Sequence, residues 1–429
     1  MGSILRSITA LFLGICFLIL GNGLLSTLLI LRGVNEGFSE QFLGLLTSAY
    51  FLGALFGTQF ASNLIRRMGH IRCFTFSAAM LACSILAYVL LLSPVVWLVI
   101  RLFTGFGVFV MYTVIESWLN GQTPDDYRSR VFSIYTLVNL MSIAASQQLL
   151  HIDTVDAFTL FALAAVLATA SVMPVSWTRL QQPNIAIDMP KMDLRYLYRV
   201  APVAVMGVIA SGLVMGPFYG LMPLFASSIG YSESQFAMLM TLSLLGGAFI
   251  QYPVGRLSDR HDRRRVVLWV MLAGVLVSIG MGWVAMQWPQ RVVPMTVLSM
   301  VFCGLVLAIY PISVAHLVDR IHKDHLVAGS SGLLLLYGLG AFVGPGVAGL
   351  MLQRLGGSSL PAVYLATLAV FGMAVAWLLK RSTVVEHPEE YEGHFVAMVR
   401  TTPNVLPLHP DSEEELEPPE ERRQEDRVG

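Results

Sequence analysis

The chain has 429 residues, of which 55% are hydrophobic and only 13% are charged. Soluble proteins carry roughly 25% charged residues, whereas apolar runs of about 20 residues, the length that a bilayer requires, recur along this sequence. These values exclude a soluble enzyme and predict an all-α polytopic membrane protein. The formal net charge is zero, but 13 of the 27 acidic residues follow residue 385, so the preceding part has an excess of Lys and Arg.

Hydropathy predicts twelve transmembrane helices in chain order. The first apolar run has no small-residue cleavage site, so it is interpreted as a membrane span and not as a removable signal peptide. A polar stretch at 178–199 separates the sixth and seventh spans. The predicted spans are 8–31, 41–65, 72–92, 95–118, 130–151, 156–177, 200–226, 234–256, 265–286, 293–316, 327–352 and 359–379.

A sequence repeat links the two halves of the chain. Residues 37–42 read Gly-Phe-Ser-Glu-Gln-Phe, and residues 230–236 read Gly-Tyr-Ser-Glu-Ser-Gln-Phe. Each copy precedes a long apolar run that leads to an arginine-rich loop, at 66–72 and at 259–265. Such a repeat predicts two pseudo-symmetric six-helix bundles with a binding site between them.

The repeat and the polar stretches divide the chain into four parts. We expect an N-terminal six-helix bundle at 1–177, a cytoplasmic linker at 178–199 and a C-terminal six-helix bundle at 200–380. The remainder, 381–429, is rich in Glu and Pro and poor in aromatic residues, which predicts an acidic, disordered tail.

The distribution of Lys and Arg predicts the orientation. If the N-terminus is cytoplasmic, the inside segments before the distal tail hold 19 Lys and Arg residues and the outside loops hold 3. Cytoplasmic loops carry the excess of positive charge in membrane proteins. We therefore expect both termini to be cytoplasmic.

Several motifs resemble those of the Major Facilitator Superfamily. The superfamily loop signature is Gly-x-x-x-Asp-Arg-x-Gly-Arg-Arg, and a second signature, Arg-x-x-x-Gly-x-Gly, belongs to the fourth span. The first-half loop keeps Arg67 and Gly69 but has Arg66 where the Asp belongs. The second-half loop matches at Gly255, Asp259, Arg260, Arg263 and Arg264, and the fourth span matches at Arg101, Gly105 and Gly107. The ordered set Tyr50-Phe51-x-Gly53, Arg101 and Glu116-Ser117-x-Leu119 is similar to the YcaD-like bacterial branch.

This resemblance implies a secondary active transporter that moves a small molecule across the bacterial inner membrane by alternating access, coupled to protons. The implied partners are a substrate, protons and the lipid bilayer. No cofactor, nucleic acid or metal is expected, and the protein is expected to be a monomer. One alternative is a transporter-fold sensor that signals through the tail. Another is a membrane-embedded enzyme, for which only the histidines near 316–325 offer a weak cluster, so an enzyme is not expected.

Arg101 and Glu116 are the charged residues that lie well inside a predicted span, away from its ends. An arginine in the hydrocarbon region must face the bundle interior or a water-filled cavity. Arg101 either braces a neighbouring helix or lines the path of a proton or an anionic substrate group, and the resemblance implies proton coupling. Glu116 either forms a salt bridge with Arg66, Arg67 or Arg130, or carries a proton.

Asp259 is expected to act as a latch. The eleventh span begins on the same side of the membrane as Asp259, and the free N–H groups of its first turn attract a carboxylate. The alternative is that Arg260, Arg263 and Arg264 only anchor the loop on the cytoplasmic side.

Polar residues in the middle of spans are the candidate substrate ligands, although each of them is also able to form a hydrogen bond between helices. Together with the many aromatic and Met residues, this uncharged set favours a neutral or amphipathic small molecule. The candidates are Asn22, Asn139, Gln147, Tyr219, Gln251, Tyr310 and Tyr337.

Overall fold

The computed structural model describes residues 2–123, 127–177, 194–321 and 325–381, and every regular element in these ranges is a helix. Short 3₁₀ turns follow α5 and α13 at Leu149–His151 and Gly357–Ser359. The α-helices are α1 (Gly2–Asn35), α2 (Glu40–Met68), α3 (His70–Leu90), α4 (Pro94–Gln122), α5 (Arg128–Gln148), α6 (Phe158–Ala170), α7 (Val172–Trp177), α8 (Leu194–Val200), α9 (Pro202–Ser228), α10 (Glu233–Arg260), α11 (Arg263–Gln287), α12 (Val292–Val318), α13 (Leu326–Leu355) and α14 (Leu360–Arg381).

Eleven spans in the described part of the chain are long and apolar enough to cross a membrane. Together α6 and α7 make up one of them, Phe158–Trp177. The predicted span at 130–151 is present as α5 but lacks the apolar character of the others. Polar side chains on α5, such as Gln147, bond to neighbouring helices. A helix is therefore present at each of the twelve predicted spans, but α5 is not among the eleven that are apolar enough to cross a membrane by this criterion.

The repeated sequences form the same turn in both halves. Gly37 and Gly230 have positive φ angles of 76° and 83°, which glycine adopts without the steric penalty of a Cβ atom. Two residues later, Ser39 and Ser232 cap the N-termini of α2 and α10 by accepting a backbone hydrogen bond. We call this side of the molecule, which also includes Gly356, the glycine-turn end. The opposite side, with loops 66–72 and 259–265, is the arginine-rich end.

Each major helix packing in the first half has a counterpart in the second. In the first half, α2 and α3 pack on α4, and α3 packs on α6. Correspondingly, α10 and α11 pack on α12, and α11 packs on α14. Between the halves, α2 packs on α13 and α5 packs on α10. The same arrangement thus occurs twice, and the second helix of each half packs on the fifth membrane-spanning helix of the other half.

Glycines permit the closest of these contacts. A Cβ atom on Gly53 of α2 would lie 2.0 Å from the Leu102 carbonyl oxygen, and one on Gly105 of α4 would lie 2.0 Å from the Tyr50 carbonyl oxygen. On α9 and α13, Gly212 and Gly340 meet in the same way. Small residues at such spacing allow helix backbones to approach closely in membranes. The α2–α4 contact fixes the backbone positions of Tyr50 and Arg101.

The remaining predicted segments are described only in part. Residues 178–193 of the expected linker and 382–429 of the expected tail lie outside the described residues. The end of the expected linker forms the short helix α8. The boundaries of the four predicted parts therefore stay a prediction.

Candidate functional site

Arg101 is a buried cation near the glycine-turn end of α4. Pro94 begins this helix, at a position where its missing N–H is not needed, and Arg101 lies about two turns further on. Its side chain is 4% exposed. Its Nη2 atom donates to Ser26 Oγ on α1 at 3.0 Å, and its guanidinium carbon lies 4.4 Å from the centre of the Tyr50 ring. Its Nη1 atom is buried and has no hydrogen-bond partner in the described ranges.

Asn22 on α1 holds the Tyr50 ring in place. Its Nδ2 atom donates to the Tyr50 hydroxyl at 3.0 Å. Asn22 and Ser26 are four residues apart on α1, so their side chains lie on one face of the helix. Helices α1, α2 and α4 therefore meet at Arg101, with the ring of Tyr50 over the charge.

Aromatic side chains connect Arg101 to Glu116 along α4. The ring of Phe109 lies 6.2 Å from that of Tyr50 and 5.7 Å from that of Tyr112. Tyr112 is one helical turn from Glu116 and lies within electrostatic reach of Glu116, Tyr50 and Tyr219. Aromatic side chains of the first half thus lie between the two charged residues that the sequence singled out, and Tyr219 of the second half lies near Tyr112.

The carboxylate of Glu116 is completely buried. The hydroxyl of Tyr135 on α5, itself fully buried, donates to Glu116 Oε1 at 2.6 Å. Among the alternative partners considered from sequence, Arg66 donates to Asn63 on its own helix, and Arg67 is exposed. Tyr135 was not expected from the sequence. Glu116 and Tyr135 nevertheless lie at nearly equal distances along the chain from the connection at 123–127, a spacing that predicts similar depths on two successive antiparallel helices.

The candidate substrate ligands separate into groups. Asn22 and Tyr219, which are partly exposed, belong to the group around Tyr50 and Tyr112. Asn139 donates to the Tyr135 carbonyl oxygen at 2.9 Å, and its Oδ1 atom has no partner among the described residues.

The other candidates lie in different surroundings. Gln147 accepts from Thr27 at 2.9 Å, which makes it a link between α5 and α1. Tyr310 and Tyr337 form an edge-to-face pair with ring centres 5.4 Å apart. Gln251 on α10 is buried, with 6% exposure. The structure therefore does not bring all seven candidates into one cluster.

Ion pairs organise the second arginine-rich loop. Arg263 donates to Asp259 Oδ1 at 3.3 Å and to Asp319 Oδ2, at the end of α12, at 2.7 Å. Asp319 lies beside the histidines near 316–325 that form a weak cluster in the sequence, and residues 322–324 of that stretch lie outside the described residues. Arg260 is exposed to solvent. The loop between α10 and α11 is thus tied to α12.

Asp262 caps α11 and binds Arg264. Its Oδ1 atom accepts from the Arg264 backbone N–H at 3.0 Å, and its two oxygens accept from Arg264 Nε and Nη2 at 3.0 and 2.9 Å. Partial burial raises the pKa of Asp262, but the hydrogen bonds and charge of Arg264 outweigh it, so the pKa lies below the ordinary value of 3.8. Asp262 stands where the superfamily loop signature has its second glycine. Its counterpart in the first loop, Gly69, has a positive φ of 80°.

Hydrogen bonds join the two halves at the glycine-turn end. On α2, Ser48 donates to the Phe342 carbonyl oxygen of α13 at 2.6 Å. At the end of α5, Gln148 Nε2 donates to Thr241 Oγ1 of α10 at 2.6 Å, and Thr241 donates to the Ala144 carbonyl oxygen at 3.1 Å. His151 and Ser234 lie 3.1 Å apart nearby.

Several side chains of α2 toward the arginine-rich end are exposed. Phe56 and Phe60 are 45% and 50% exposed, and Gln59 between them is also exposed. Glycine contacts between α2 and α13 reach from Gly44, beside Gly349, to the middle of the helix, where Leu55 meets Gly338.

The sequence of this chain matches the family model of the Major Facilitator Superfamily over residues 11–225 and again over 203–409. The two matches cover both halves. The chain belongs to the Major Facilitator Superfamily. As a member of this superfamily it is a multi-pass membrane transporter and not an enzyme, as the resemblance in its motifs implied.

Relatives and solved structures agree with this assignment. The superfamily member is 28% identical over 351 residues to YcaD of Escherichia fergusonii, an uncharacterized MFS-type transporter, covering 81% of this chain and 90% of that protein. Its fold is similar to that of the nucleoside transporter NupG, with a TM-score of 0.71 and 15% identity over 89% of this chain and all of the other. The D-xylose-proton symporter is similar with a TM-score of 0.67 and 12% identity, over 87% of this chain and 97% of the other.

Proposed function

We propose that this superfamily member is a proton-coupled secondary active transporter that moves a small molecule by alternating access. The observation that carries the proposal is the pair of buried charged side chains on α4, Arg101 and Glu116, with Tyr50, Phe109 and Tyr112 between them. The pair comprises a cation near the glycine-turn end and a carboxylate nearer the arginine-rich end. Intramembrane charges are rare and costly, and they commonly mark ion or substrate pathways.

Glu116 is the proposed proton carrier. A carboxyl group that is fully buried and accepts from a tyrosine hydroxyl is able to exist with or without its proton, with different hydrogen-bonding requirements in each form. Tyr135, its partner, lies on α5, and α5 is bound to α10 of the other half through Gln148. A change in the protonation of Glu116 therefore acts on the helix that contacts the opposite half.

The contacts between the halves support alternating access. The bonds from Ser48 and Gln148 hold the glycine-turn end closed, and α2 is open toward the arginine-rich end. These features fit a conformation open at the arginine-rich end. In the other conformation the hydrogen bonds at the glycine-turn end break, and Asp259 is proposed to bind the first turn of α13 as the latch that closes the arginine-rich end.

The topology follows from the same proposal. The chain comprises six-helix bundles at 1–177 and 200–380, a linker at 178–199 and a tail at 381–429. The excess of Lys and Arg places the arginine-rich end and both termini in the cytoplasm of a bacterial cell, in the inner membrane. The protein functions as a monomer, because the substrate pathway lies between the two halves of one chain.

The proposed substrate site is the group around Tyr50. Asn22 and Tyr219 are its polar members, and they come from the first helix of each half. Tyr310 and Tyr337 contribute an aromatic surface from the second half. Asn139, Gln147 and Gln251 are proposed as secondary ligands that line the pathway.

Transport by purified protein in proteoliposomes tests this function. Substrates are first selected by their effect on thermal stability at two pH values, and their uptake is then driven by an imposed proton gradient. We expect Arg101→Ala and Glu116→Gln to insert normally but to abolish gradient-driven uptake. Asp153→Asn, which changes a loop carboxylate, is the matched control and should transport as the wild type does. Wild-type uptake by both site variants would contradict the proposal.

A further inference from the structure

Within the described ranges, Arg101 is a buried charge without a carboxylate to neutralise it. The ion pairs of these residues involve other side chains, and Arg101 lies against Ser26, the Tyr50 ring and Tyr88. Neutral hydroxyls and an aromatic face compensate a guanidinium only partly. The Nη1 atom makes no hydrogen bond of ordinary geometry with the described residues.

The hydroxyl groups around Arg101 are able to donate to an anion. Tyr88 on α3 is fully buried, and its hydroxyl lies beside the guanidinium and Thr104 without a hydrogen bond of ordinary geometry to the described residues. The hydroxyl oxygen of Tyr50 accepts from Asn22, so the hydroxyl proton of Tyr50 remains available for donation. Unused donors around a cation form a site for an acceptor-rich, negatively charged group.

The surroundings restrict the ligand to one negative charge and an apolar body. Tyr88 packs edge-to-face on Trp97 with ring centres 5.4 Å apart, and Tyr50 and Phe109 line the other side. Arg101 is the single Lys or Arg well inside a predicted span, since Arg72, Arg130, Arg256 and Arg265 stand at the ends of theirs. A second anionic group on the ligand would therefore have no cation to bind. The planar guanidinium matches a carboxylate, which accepts two parallel hydrogen bonds.

The ring of Tyr50 acts as a lid over this site. The backbone of Tyr50 is fixed against Gly105, so the ring must move while the helix stays in place. Thr47 lies on the same face of α2 as Tyr50 and contacts Gly220 of α9, where a Cβ atom would be 2.1 Å from the threonine methyl group. Separation of the halves at the glycine-turn end would therefore free the space into which the ring turns.

We propose that Arg101 binds the carboxylate of an amphipathic organic monocarboxylate, with Tyr88 as a second donor and Tyr50 as the lid that opens from the glycine-turn end. This inference rests on the proposed transport function and names its substrate class. Of the neutral and amphipathic small molecules that the composition of the spans favours as substrates, this inference selects the amphipathic acids.

Binding to the full-length protein in detergent tests the proposal with matched pairs of probes. Benzoate and phenylacetate are compared with benzamide and phenylacetamide, which keep the shape and lose the charge. We expect a saturable thermal shift with at least one carboxylate and none with its amide. Arg101→Ala should weaken carboxylate binding about tenfold or more, since charge-assisted hydrogen bonds are lost. Arg101→Lys, which retains the charge, should weaken it less.

Tyr88 gives a second readout that a purely structural role of Arg101 would not produce. Tyr88→Phe keeps the ring and removes only the second donor, so carboxylate binding should weaken while the melting temperature without ligand stays near that of the wild type. Equal responses to acid and amide, unchanged binding by Arg101→Ala, or no response to any of the carboxylates would overturn the proposal. Saturable exchange of a neutral compound without carboxylate binding would overturn this site but preserve the transport function. Carboxylate binding without exchange of any compound would contradict transport instead.

Discussion

Tyr135 donates a 2.6 Å hydrogen bond to the carboxylate of Glu116, and neither side chain is exposed. The two residues belong to adjacent antiparallel helices, and α5, which carries Tyr135, is also hydrogen-bonded to the opposite half of the chain. A buried proton-binding group is thereby connected to a contact between the halves. This is the arrangement that coupling of protonation to a conformational change requires.

Replacement of Tyr135 by Phe tests this connection. The variant removes one donor from a buried carboxylate, so we expect gradient-driven uptake to fall about tenfold. In a Glu116→Gln background the same replacement should have little further effect, because the coupled unit is already lost. The measurement is the initial rate of uptake by the two single variants and the double variant. Additive losses would show that Tyr135 acts independently of Glu116.

Asp259→Asn is expected to increase the population open at the arginine-rich end, since it removes the charge proposed to bind the first turn of α13. The readout is alkylation of a single cysteine introduced at Gln59, an exposed position on α2. Arg265→Gln changes a side chain in the same loop that is 70% exposed and serves as the control. The same alkylation rate in Asp259→Asn and the control would refute the latch.

The cap at Asp262 provides a test in which pH is varied. Its pKa is held below the ordinary value, so the ion pair with Arg264 contributes stability above pH 3.8 and loses it as the pH falls through the pKa of the folded protein. Asp262→Asn, which still caps the helix, should therefore lower the melting temperature at pH 5 to 8 and have no effect in strong acid. Asp262→Ala should cost about 1 kcal/mol more, because it also removes the cap. A stability loss that is the same at every pH would exclude the ion pair as its cause.

Glycine replacements test the packing that positions Arg101. Gly53→Ala and Gly105→Ala place a methyl group 2.0 Å from a backbone oxygen, so we expect destabilisation of at least about 1–3 kcal/mol and low yields of folded protein. Gly282→Ala is the control, since its Cβ atom would approach Pro361 no closer than 3.9 Å. Thermal unfolding in detergent compares the three. Equal stability of Gly105→Ala and Gly282→Ala would contradict the close contact of α2 and α4.

Much of the fold follows from local sequence. Ser39 and Ser232 become helix caps because capping depends on a few neighbouring residues, and the repeated motif contains them. The fifth span is less predictable, since its polar residues are stabilised by partners elsewhere, as in the pair of Thr27 and Gln147. Composition alone does not reveal such partners.

The sequence predicts which charged residues belong to the site, but not which side chains they contact. Arg101 and Glu116 stand out because ionised groups are rare in apolar spans. Tyr50, Tyr88 and Tyr135 do not, because a tyrosine is common in such helices and its role depends on the rotation of one helix against another. Asp319 binds Arg263 only because α11 approaches the end of α12, and no sequence spacing reports that approach.

The central claim is that the hydrogen bonds at the glycine-turn end break during each transport cycle. Cysteines introduced at Gln148 and Thr241, whose side chains are 2.6 Å apart, test it directly in a variant whose four native cysteines are replaced by serine. A second pair at Arg32 and Asp156, which bridges the same end within one half, is the control. We predict that oxidation of the first pair stops uptake, that reduction restores it, and that the control pair has no effect. Undiminished uptake by fully cross-linked Gln148–Thr241 protein would contradict alternating access at this end.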